Sequence, residues 1–340
     1  MLNAAAWAHL DALAKPQRSL GRLETLAVRL ATIQQRLDPI VRPRRVVLFA
    51  GDHGVVAQGV SAWPSAVTGL MVDTILAGRA TSSALAAAQG CELRLVDVGV
   101  SAPPPIDPPG VYRNARVADG TRDLALGPAM TLAEFDAAWQ VGADEARSAV
   151  DDGVRLLIAG EMGIGNTTPA ACLTALLVDT DPELATGRGA GADDAMLAAK
   201  RRVVATATAR ARARARVRLD LRTAIAEVAG LEIVAMAGFF AEGARLGATL
   251  LLDGYVATAA ALIAEALRPG TAHAIIAAHR SAEPGHAAAL ARLGLEPLLE
   301  WEMRLGEGTG ALVALPLLDS AVALLTGVAR LDELGTGRAD

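Results

Sequence analysis

The sequence predicts an α/β protein built on a doubly wound, mostly parallel and Rossmann-like sheet. Short apolar runs without polar alternation recur along the chain, and such runs are typical of strands covered on both faces. Stretches of helical spacing separate them, which is the order expected of a parallel sheet with crossover helices. Hydrophobic residues make up 52% of the 340 residues but aromatic residues only 3%, so small aliphatic side chains must fill the core.

The first elements agree with this fold. Helical spacing runs over 2–37, and Lys15-Pro16 divides it into two helices because proline interrupts a helix. Strands are expected at 45–50 and 93–99, joined by helical spacing over 67–89, which makes a βαβ unit. The remaining elements are expected as a helix over 132–151, strands over 154–159, 231–236 and 272–277, and helical spacing over 290–299 and 311–328.

Two parts of the chain are expected. A large α/β nucleotide-binding domain spans residues 41–285, and helices from both chain ends, 1–40 and 286–340, form a small helical lobe. Pockets often lie between such parts. In an open parallel sheet ligands bind beyond the carboxyl ends of the strands, so the loops after the apolar runs are the candidates for function.

Composition and charge argue against several classes of protein. The net charge of -5 gives no general attraction to nucleic acid, and alternating Arg and Ala over 210–222 spreads charge around a helix. We expect no membrane span, because charges interrupt the most hydrophobic regions before they reach roughly 18 apolar residues. These charges are Glu232, Glu242, Arg245, Asp253 and Asp319.

The cysteines and the first residues indicate a compartment. Cys91 and Cys172 lie far apart in apolar contexts, as expected of buried, inert thiols in a reducing environment. The first twenty residues lack the basic start, apolar run and cleavage site of an export signal. We therefore expect a cytoplasmic protein.

The first candidate loop, 51–54, directly follows the first strand and has the sequence Gly-Asp-His-Gly. Its glycines allow close approach of the backbone to a ligand. A helix cap and a hydrogen-bonded loop histidine explain Asp52 and His53 as well as a role in shaping a pocket does. A metal site is disfavoured, because these two residues supply at most two ligands and no other His or Cys lies at ligand spacing.

The second candidate loop, 160–168, resembles an anion cradle between a strand and a helix that begins near Pro169. Gly163 and Gly165 permit unusual backbone angles, and the free amides and dipole of the helix favour a phosphate. The pattern matches neither the dinucleotide fingerprint nor the P-loop, which leaves a monophosphate. The glycines of 187–191 and the cation Lys200 would add to this cradle, although neither feature requires a ligand.

The third candidate segment, 304–310, places Glu307 between two glycines and ahead of an apolar helix. Flanking glycines leave such a carboxylate accessible. Burial among apolar helices would raise its pKa toward that of a general base near neutral pH. The alternative is a carboxylate of the first helical turn that the helix dipole stabilises.

Taken together, these segments resemble the nicotinate-nucleotide:dimethylbenzimidazole phosphoribosyltransferase family over nearly the whole chain. The matching blocks are Lys15-Pro16 with 19–24, 50–55, 59–61, Pro64, Val67-Thr68, 96–99, 160–168, 235–238, 252–254, 279–286 and 304–310. The resemblance implies phosphoribosyl transfer from nicotinate mononucleotide to 5,6-dimethylbenzimidazole or a related base. The products would be nicotinate and, with inversion at the anomeric carbon, α-ribazole 5'-phosphate for cobalamin biosynthesis. It implies a homodimer and no metal or redox cofactor.

The resemblance also assigns residues by matching positions. Glu307 takes the role of the general base. The phosphate and ribose of the nucleotide are expected at Glu161, Gly163, Gly165, Asn166, Lys200 and Ser281, with Glu283 and His286 nearby. The incoming base is expected against Ser61, Trp63, Leu70, Met71 and Leu305. Related sequences usually carry Gln where this chain has Leu70, so benzimidazoles without methyl groups, or purines, stay open as bases.

One carboxylate suffices for this chemistry. Nicotinate leaves from a pyridinium that is already positive and needs no acid, whereas a base must take the proton of the benzimidazole. An apolar pocket would also keep water from the anomeric carbon. Two alternatives remain, a nicotinate-nucleotide glycohydrolase that uses water as the acceptor and a non-catalytic protein that binds the nucleotide or a benzimidazole.

Overall fold

A computed structural model describes residues 2–218 and 220–334. Its strands are β1 (Arg44–Gly51), β2 (Glu92–Gly99), β3 (Tyr112–Asn114), β4 (Leu156–Met162), β5 (Thr249–Leu252) and β6 (Ile275–Ala277). These strands form a six-stranded sheet in the order β3-β2-β1-β4-β5-β6, and all neighbouring strands are parallel. The expected doubly wound α/β fold is therefore confirmed. The strand order reverses between β1 and β4, and a ligand site is expected outside the carboxyl ends there.

Helices connect the strands and cover both faces of the sheet. Those in the described part of the chain are α1 (Leu2–Asp11), α2 (Arg22–Gln34), α3 (Ala66–Leu76), α4 (Thr81–Ala88), α5 (Leu132–Asp151), α6 (Thr167–Val178), α7 (Pro182–Ala185), α8 (Asp194–Arg218), α9 (Leu221–Ala226), α10 (Leu231–Arg245), α11 (Tyr255–Leu267), α12 (His286–Leu293) and α13 (Thr309–Gly327). Short 3₁₀ turns lie at Gly54–Gln58, Thr271–Ala274 and Leu331–Leu334.

Alternate side chains of the strands point into two different cores. Val47 and Phe49 of β1 belong to one hydrophobic cluster with residues of α5, α6, α8, α10 and α11. Val46 and Leu48 belong to a second cluster with residues of α1, α2, α3, α4 and α13. Because the side-chain period of a strand is two, a strand buried on both faces reads as a continuous apolar run.

Helices from the two chain ends pack together. On the second face of the sheet, α2 contacts both α1 and α13. The division into a domain of 41–285 and a lobe of 1–40 with 286–340 stays a prediction. Its last residues, 335–340, lie outside the described part of the chain.

Two predicted elements are wrong. The apolar run at 231–236 begins helix α10 instead of forming a strand, and the fifth strand is Thr249–Leu252. Leu231–Gly243 of this helix is buried throughout, so its sequence lacks the polar face that marks a helix. The helix expected over 290–299 ends at Leu293, where Gly294 adopts a left-handed conformation that glycine tolerates without a Cβ penalty.

Helix α13 is long and apolar enough to cross a bilayer, and it is the one described helix for which this is true. Half of its most apolar window is buried inside the protein. Near its middle, Asp319 pairs with Arg42 at 2.8 Å and with the buried Arg44 at 3.0 Å. These ion pairs and its packing on the sheet make α13 a core helix of the α/β fold.

Candidate active site

A pocket of about 440 Å³ lies at the carboxyl ends of β4, β5 and β6. It is lined by residues after each of these strands, by residues 60–63 with Val67 and Met71, and by 304–307. The second and third candidate segments of the sequence therefore meet in one place. Residues of the lining include Ser61, Trp63, Met71, Glu161, Gly163, Gly165, Asn166, Thr167, Asp253, His279, Ser281, Glu283, Leu305 and Glu307.

The loop between β4 and α6 supplies the wall expected to hold an anion. Gly163, Gly165 and Asn166 all line the pocket, together with the first residue of α6. A Cβ at Gly163 would lie 2.3 Å from the carbonyl oxygen of Gly51, so only glycine fits between this loop and the end of β1. Because the first amides of a helix lack intrahelical partners, this wall can bind an anion.

Lys200 stands behind this wall rather than on the pocket surface. Its Nζ donates hydrogen bonds to Thr167 Oγ1 at 2.6 Å and to the carbonyl oxygen of Gly187 at 3.1 Å. The side chain is buried, and burial lowers the pKa of Lys200 to about 8, while the charge of Glu283 works in the opposite direction. Thr167 lines the pocket in its place.

Glu307 is held in an unusual backbone conformation. Its φ is +55°, in the left-handed region, and Gly306 and Gly308 on either side have φ values of +89° and +72°. The carboxylate Oε2 accepts a hydrogen bond of 2.7 Å from the hydroxyl of Ser82. Burial raises the pKa of Glu307, the hydrogen bond from Ser82 opposes this, and the charge of Asp253 adds to it. The side chain is thus a buried carboxylate of raised proton affinity on the pocket surface.

Two further carboxylates share the pocket with Glu307. Burial raises the pKa of Glu161 well above its ordinary value, and the charges of Asp253, Glu232 and Glu307 reinforce the effect. The amide of Asn166 donates a short hydrogen bond to Glu161 Oε2. A Cβ at Gly306 would lie 2.2 Å from Glu161 Oε1, so the third candidate segment passes directly over this carboxylate.

Asp253, directly after β5, connects the segment that follows Glu307 to the sheet by hydrogen bonds. Its carboxylate accepts hydrogen bonds from the backbone amides of Gly308 at 3.2 Å and Ala311 at 3.1 Å, at the start of α13. Burial raises the pKa of Asp253, whereas His279 and backbone amides, among them that of Ala311, work in the opposite direction. His279 Nε2 lies 3.7 Å from Asp253 Oδ1. Both side chains line the pocket beside Glu161.

A buried ion pair lies beneath the glycine loop. His53 Nε2 and Glu232 Oε1 are 2.8 Å apart and both side chains are fully buried. Burial lowers the pKa of His53, but Glu232 and Asp52 outweigh it and the net change is upward. A Cβ at Gly163 would approach His53 Nε2 to 3.0 Å, so this pair supports the loop from below. His53 therefore does not line the pocket but packs under its wall.

Four of the five residues expected to contact the incoming base line the pocket. They are Ser61, Trp63, Met71 and Leu305. Leu70 does not line it, and the side chain of Leu70 is 63% exposed. Trp63 and Leu305 are 52% and 53% exposed, so the mouth of the pocket is apolar.

The three residues expected near the nucleotide occupy different depths. Ser281 and Glu283 line the pocket, and Glu283 Oε1 accepts a hydrogen bond of 2.8 Å from the amide of Gly189. His286 is fully buried behind them, where its Nδ1 accepts from the amide of Ser281 at 2.8 Å. Burial and the neighbouring His279 lower the pKa of His286 to about 3, so this ring is neutral and structural.

Sequence reasoning missed Thr167, Asp253, His279 and Ser82 as residues of the site. The first three lie inside blocks that carried the resemblance, and each follows a predicted or observed strand, so their place after a strand was the available signal. Ser82 lies in no such block, and its contact with Glu307 joins residues 225 positions apart. Among the described residues, no group of three or more His, Cys, Asp or Glu side chains is arranged to hold a metal ion.

Known proteins resemble this chain in sequence. A family model described as phosphoribosyltransferase matches residues 1–335. Relatives that bear the name nicotinate-nucleotide–dimethylbenzimidazole phosphoribosyltransferase include proteins from two bacteria. The one from Chromobacterium violaceum is 48% identical over 331 residues, 97% of this chain and 94% of that protein. The one from Thermus thermophilus is 46% identical over 329 residues, 97% of this chain and 96% of that protein.

Solved structures agree with the sequence similarity. The crystal structure of CobT from Thermus thermophilus matches with a TM-score of 0.93 and 45% identity, and 99% of each chain is covered. A second structure, of the phosphoribosyltransferase of the same name from Thermus thermophilus, matches with a TM-score of 0.91 and 44% identity over 99% of this chain and 98% of that one. Fold and sequence thus agree over the whole length, and the chain belongs to the family of nicotinate-nucleotide–dimethylbenzimidazole phosphoribosyltransferases.

Proposed function

We propose that this enzyme transfers the phosphoribosyl group of nicotinate mononucleotide to 5,6-dimethylbenzimidazole or a related base. The products are nicotinate and α-ribazole 5'-phosphate, for cobalamin biosynthesis. The observation that supports this most directly is that a buried carboxylate, Glu307, and an anion-binding loop at Gly163–Asn166 line the same pocket. A phosphate held at that loop brings the sugar of a mononucleotide toward the carboxylate.

The phosphate belongs at the start of α6. Gly163, Gly165 and the first turn of the helix offer backbone amides, and Thr167 offers a hydroxyl that is backed by the ammonium group of Lys200. The ionised form of Glu161 would repel the phosphate, because like charges repel. We therefore assign Glu161 to the ribose, whose hydroxyls can donate hydrogen bonds to it.

The carboxylates of the pocket also suit the charge that develops in the reaction. As the bond between the ribose and the pyridinium nitrogen weakens, positive charge spreads over the anomeric carbon. Glu161 near the end of β4, Asp253 after β5 and Glu307 before α13 all line the pocket in which this charge would develop. Fixed negative charge in a site shielded from water lowers the free energy of such a transition state.

The transfer reaction needs a single general base, because only one proton has to be removed. A ring nitrogen of the benzimidazole attacks the anomeric carbon, and the electron pair of the breaking C–N bond returns to the pyridinium nitrogen, which leaves as neutral pyridine in nicotinate. The N–H proton of the benzimidazole passes to Glu307. Attack from the face opposite to nicotinate inverts the anomeric carbon and gives the α-nucleotide.

The apolar side of the pocket suits a flat aromatic base. Trp63, Met71 and Leu305 line it, and Ser61 supplies a hydroxyl. We assign the base to this side, next to Glu307. Leu70 lies outside the pocket of the single chain, so it affects the choice of base only if another element brings it near.

One assay tests the proposal. The purified protein is mixed with nicotinate mononucleotide, with and without 5,6-dimethylbenzimidazole, and nicotinate and the new nucleotide are measured. We expect nicotinate release only when the base is present, with one α-nucleotide formed for each nicotinate. Release without a base would indicate a glycohydrolase, and binding without turnover would indicate a non-catalytic protein.

We further propose a homodimer in the cytoplasm. Trp63, Leu70 and Leu305 expose large apolar side chains around the mouth of the pocket, and such patches commonly mark protein interfaces. Cys91 and Cys172 are buried thiols, and burial raises the pKa of each to about 12, which suits a reducing compartment. Sedimentation velocity of the wild type and of Leu70→Asp tests the dimer, which this charge should weaken.

A further inference from the structure

Ser82 is the second residue of α4 and lies against the carboxylate of Glu307. Its Oγ donates a hydrogen bond of 2.7 Å to Glu307 Oε2, and Ser82 itself is fully buried. The N-terminal end of α4 therefore faces this carboxylate, and the backbone of Ser82 also favours its ionised form. The family resemblance gives Ser82 no role.

The backbone of Glu307 is fixed by other contacts than those of its side chain. Asp253 accepts hydrogen bonds from the amides of Gly308 and Ala311, and Gly160 packs so closely that a Cβ there would lie 2.5 Å from the amide nitrogen of Gly308. These contacts set where the side chain begins but leave its dihedral angles free. Within the described residues, the Ser82 hydroxyl donates a side-chain hydrogen bond to the Glu307 carboxylate, and the backbone of Ser82 adds to this contact.

We propose that Ser82 is a positioning residue for the transfer reaction, which holds the Glu307 carboxylate toward the incoming base and keeps it ionised. This inference rests on the proposed function, because it gives Glu307 the role of the base. The hydroxyl donates to Oε2, which leaves the other carboxylate oxygen to accept the proton of the benzimidazole. A carboxylate that is free to rotate meets that proton less often, and the rate falls.

The charges around Glu307 make the hydrogen bond from Ser82 important for the pKa of Glu307. Asp253, after β5, favours the protonated form of Glu307, and the charge of Glu307 in turn raises the pKa of Glu161 on β4. His279, after β6, already pairs with Asp253. In the part of the chain that the structure describes, no Lys or Arg forms an ion pair with Glu307. Loss of the Ser82 hydroxyl should therefore raise the pKa of Glu307 further.

The test compares the pH profile of kcat/KM for the benzimidazole in the wild type, Ser82→Ala and Ser83→Ala. A base acts only when ionised, so activity falls as the pH drops through its pKa, and a raised pKa moves this acid limb to higher pH. We expect Ser82→Ala to move the limb upward by about one pH unit, which lowers the rate below the limb about tenfold. The KM for nicotinate mononucleotide should stay within about twofold.

Ser83→Ala is the matched control. The Ser83 hydroxyl belongs to the same turn of α4 but donates to the carbonyl oxygen of Ile75 at 3.0 Å. Its loss should leave the acid limb in place, and ionisation of the substrates cancels because it is common to all three proteins. If Ser82→Ala does not fold, Ser82→Cys replaces it, since a thiol of similar shape is a weak donor and should give a smaller shift in the same direction.

A double-mutant cycle separates this inference from the proposed function. If Ser82 acts through Glu307, Ser82→Ala should cause no further loss of kcat in a Glu307→Gln background. An equal loss in both backgrounds, or an unmoved acid limb in Ser82→Ala, would overturn the inference. If instead Glu307→Gln alone turns over like the wild type, the base role itself fails.

Discussion

Lys200 contacts the pocket through Thr167, with its Nζ 2.6 Å from Thr167 Oγ1. Lys200 is 1% exposed and does not line the pocket, whereas Thr167 does. The lysine donates to the hydroxyl oxygen, so the hydroxyl proton is free to point toward a ligand. A positive charge is thus placed one side chain behind the anion-binding wall.

The first prediction concerns nucleotide affinity. Lys200→Ala removes this charge, and Thr167→Val removes the hydroxyl while keeping the shape of the side chain. Each change should weaken the binding of nicotinate mononucleotide by about tenfold or more, since hydrogen bonds to charged groups are worth about 1.5–3 kcal/mol. Titration calorimetry of the variants with nicotinate mononucleotide measures the effect.

The control for this prediction is Arg202→Ala, which removes an exposed cation from the same helix, α8. It should bind like the wild type. Because the pKa of Lys200 is lowered to about 8, wild-type affinity should also fall as the pH rises through that value, and Lys200→Ala should lack this loss. If Lys200→Ala and Thr167→Val both bound nicotinate mononucleotide with unchanged affinity, the assignment of the phosphate to this wall would be wrong.

The second prediction concerns turnover. Glu307→Gln keeps the size of the side chain but cannot accept the proton of the base. We expect kcat to fall by about 10²–10⁴-fold, the usual contribution of a positioned base, with nucleotide binding nearly unchanged. Glu300→Gln, at an exposed position in the loop before α13, is the matched control. A rate within about threefold of the wild type in Glu307→Gln would exclude the base role.

Local patterns explain what the sequence predicted well. The glycines and Asn166 of the anion loop follow an apolar strand directly, and strand, loop and helix are consecutive in the chain. The parallel sheet was predictable for the same reason, since each of its first strands is a short apolar run. The prediction of a strand at 231–236 was wrong because a helix that is buried on all sides shows the same apolar run as a buried strand.

Contacts between distant segments explain what the sequence could not predict. Lys200 was chosen for its charge, but its place behind Thr167 depends on how α6 packs against α8. Leu70 precedes Met71 in the chain, yet only Met71 faces the pocket, because adjacent residues of α3 point in different directions. Spacing along the chain does not say which of two neighbours faces a ligand.

The third prediction concerns Gly306, whose backbone lies directly over the carboxylate of Glu161. Gly306 has a φ of +89°, and a Cβ on it would lie 2.2 Å from Glu161 Oε1. Gly306→Ala should therefore displace both Glu161 and Glu307 and lower kcat by tenfold or more, about 1.4 kcal/mol in the barrier. Steady-state rates of nicotinate release, together with thermal unfolding, measure this.

Gly247→Ala is its control. Gly247 also has a positive φ, +75°, but a Cβ there meets no atom within 4 Å. Both variants should lose roughly 1–2 kcal/mol of stability from the left-handed backbone, and Gly306→Ala should lose more because its Cβ also meets Glu161, but only Gly306→Ala should lose activity. Equal activity in the two variants would show that the close approach to Glu161 has no part in catalysis.

The fourth prediction concerns the ion pair under the glycine loop. Glu232 keeps the pKa of His53 above its ordinary value in spite of burial. A group whose pKa is raised by folding stabilises the folded state below its unfolded pKa, about 6.5 for His, and this stabilisation is lost as the pH rises through the folded pKa. Glu232→Gln should therefore lower the free energy of unfolding at pH 6 by roughly 3 kcal/mol, and by less at pH 9.

Urea unfolding of Glu232→Gln at both pH values tests this prediction. Glu296→Gln, at an exposed position, serves as the control and should unfold like the wild type at either pH. An equal loss at pH 6 and pH 9 would mean that the contribution of Glu232 does not depend on titration of His53 between these pH values, which would contradict the prediction. Because His53 packs against Gly163, the folded variant should also bind nicotinate mononucleotide more weakly, which links this buried pair to the anion loop above it.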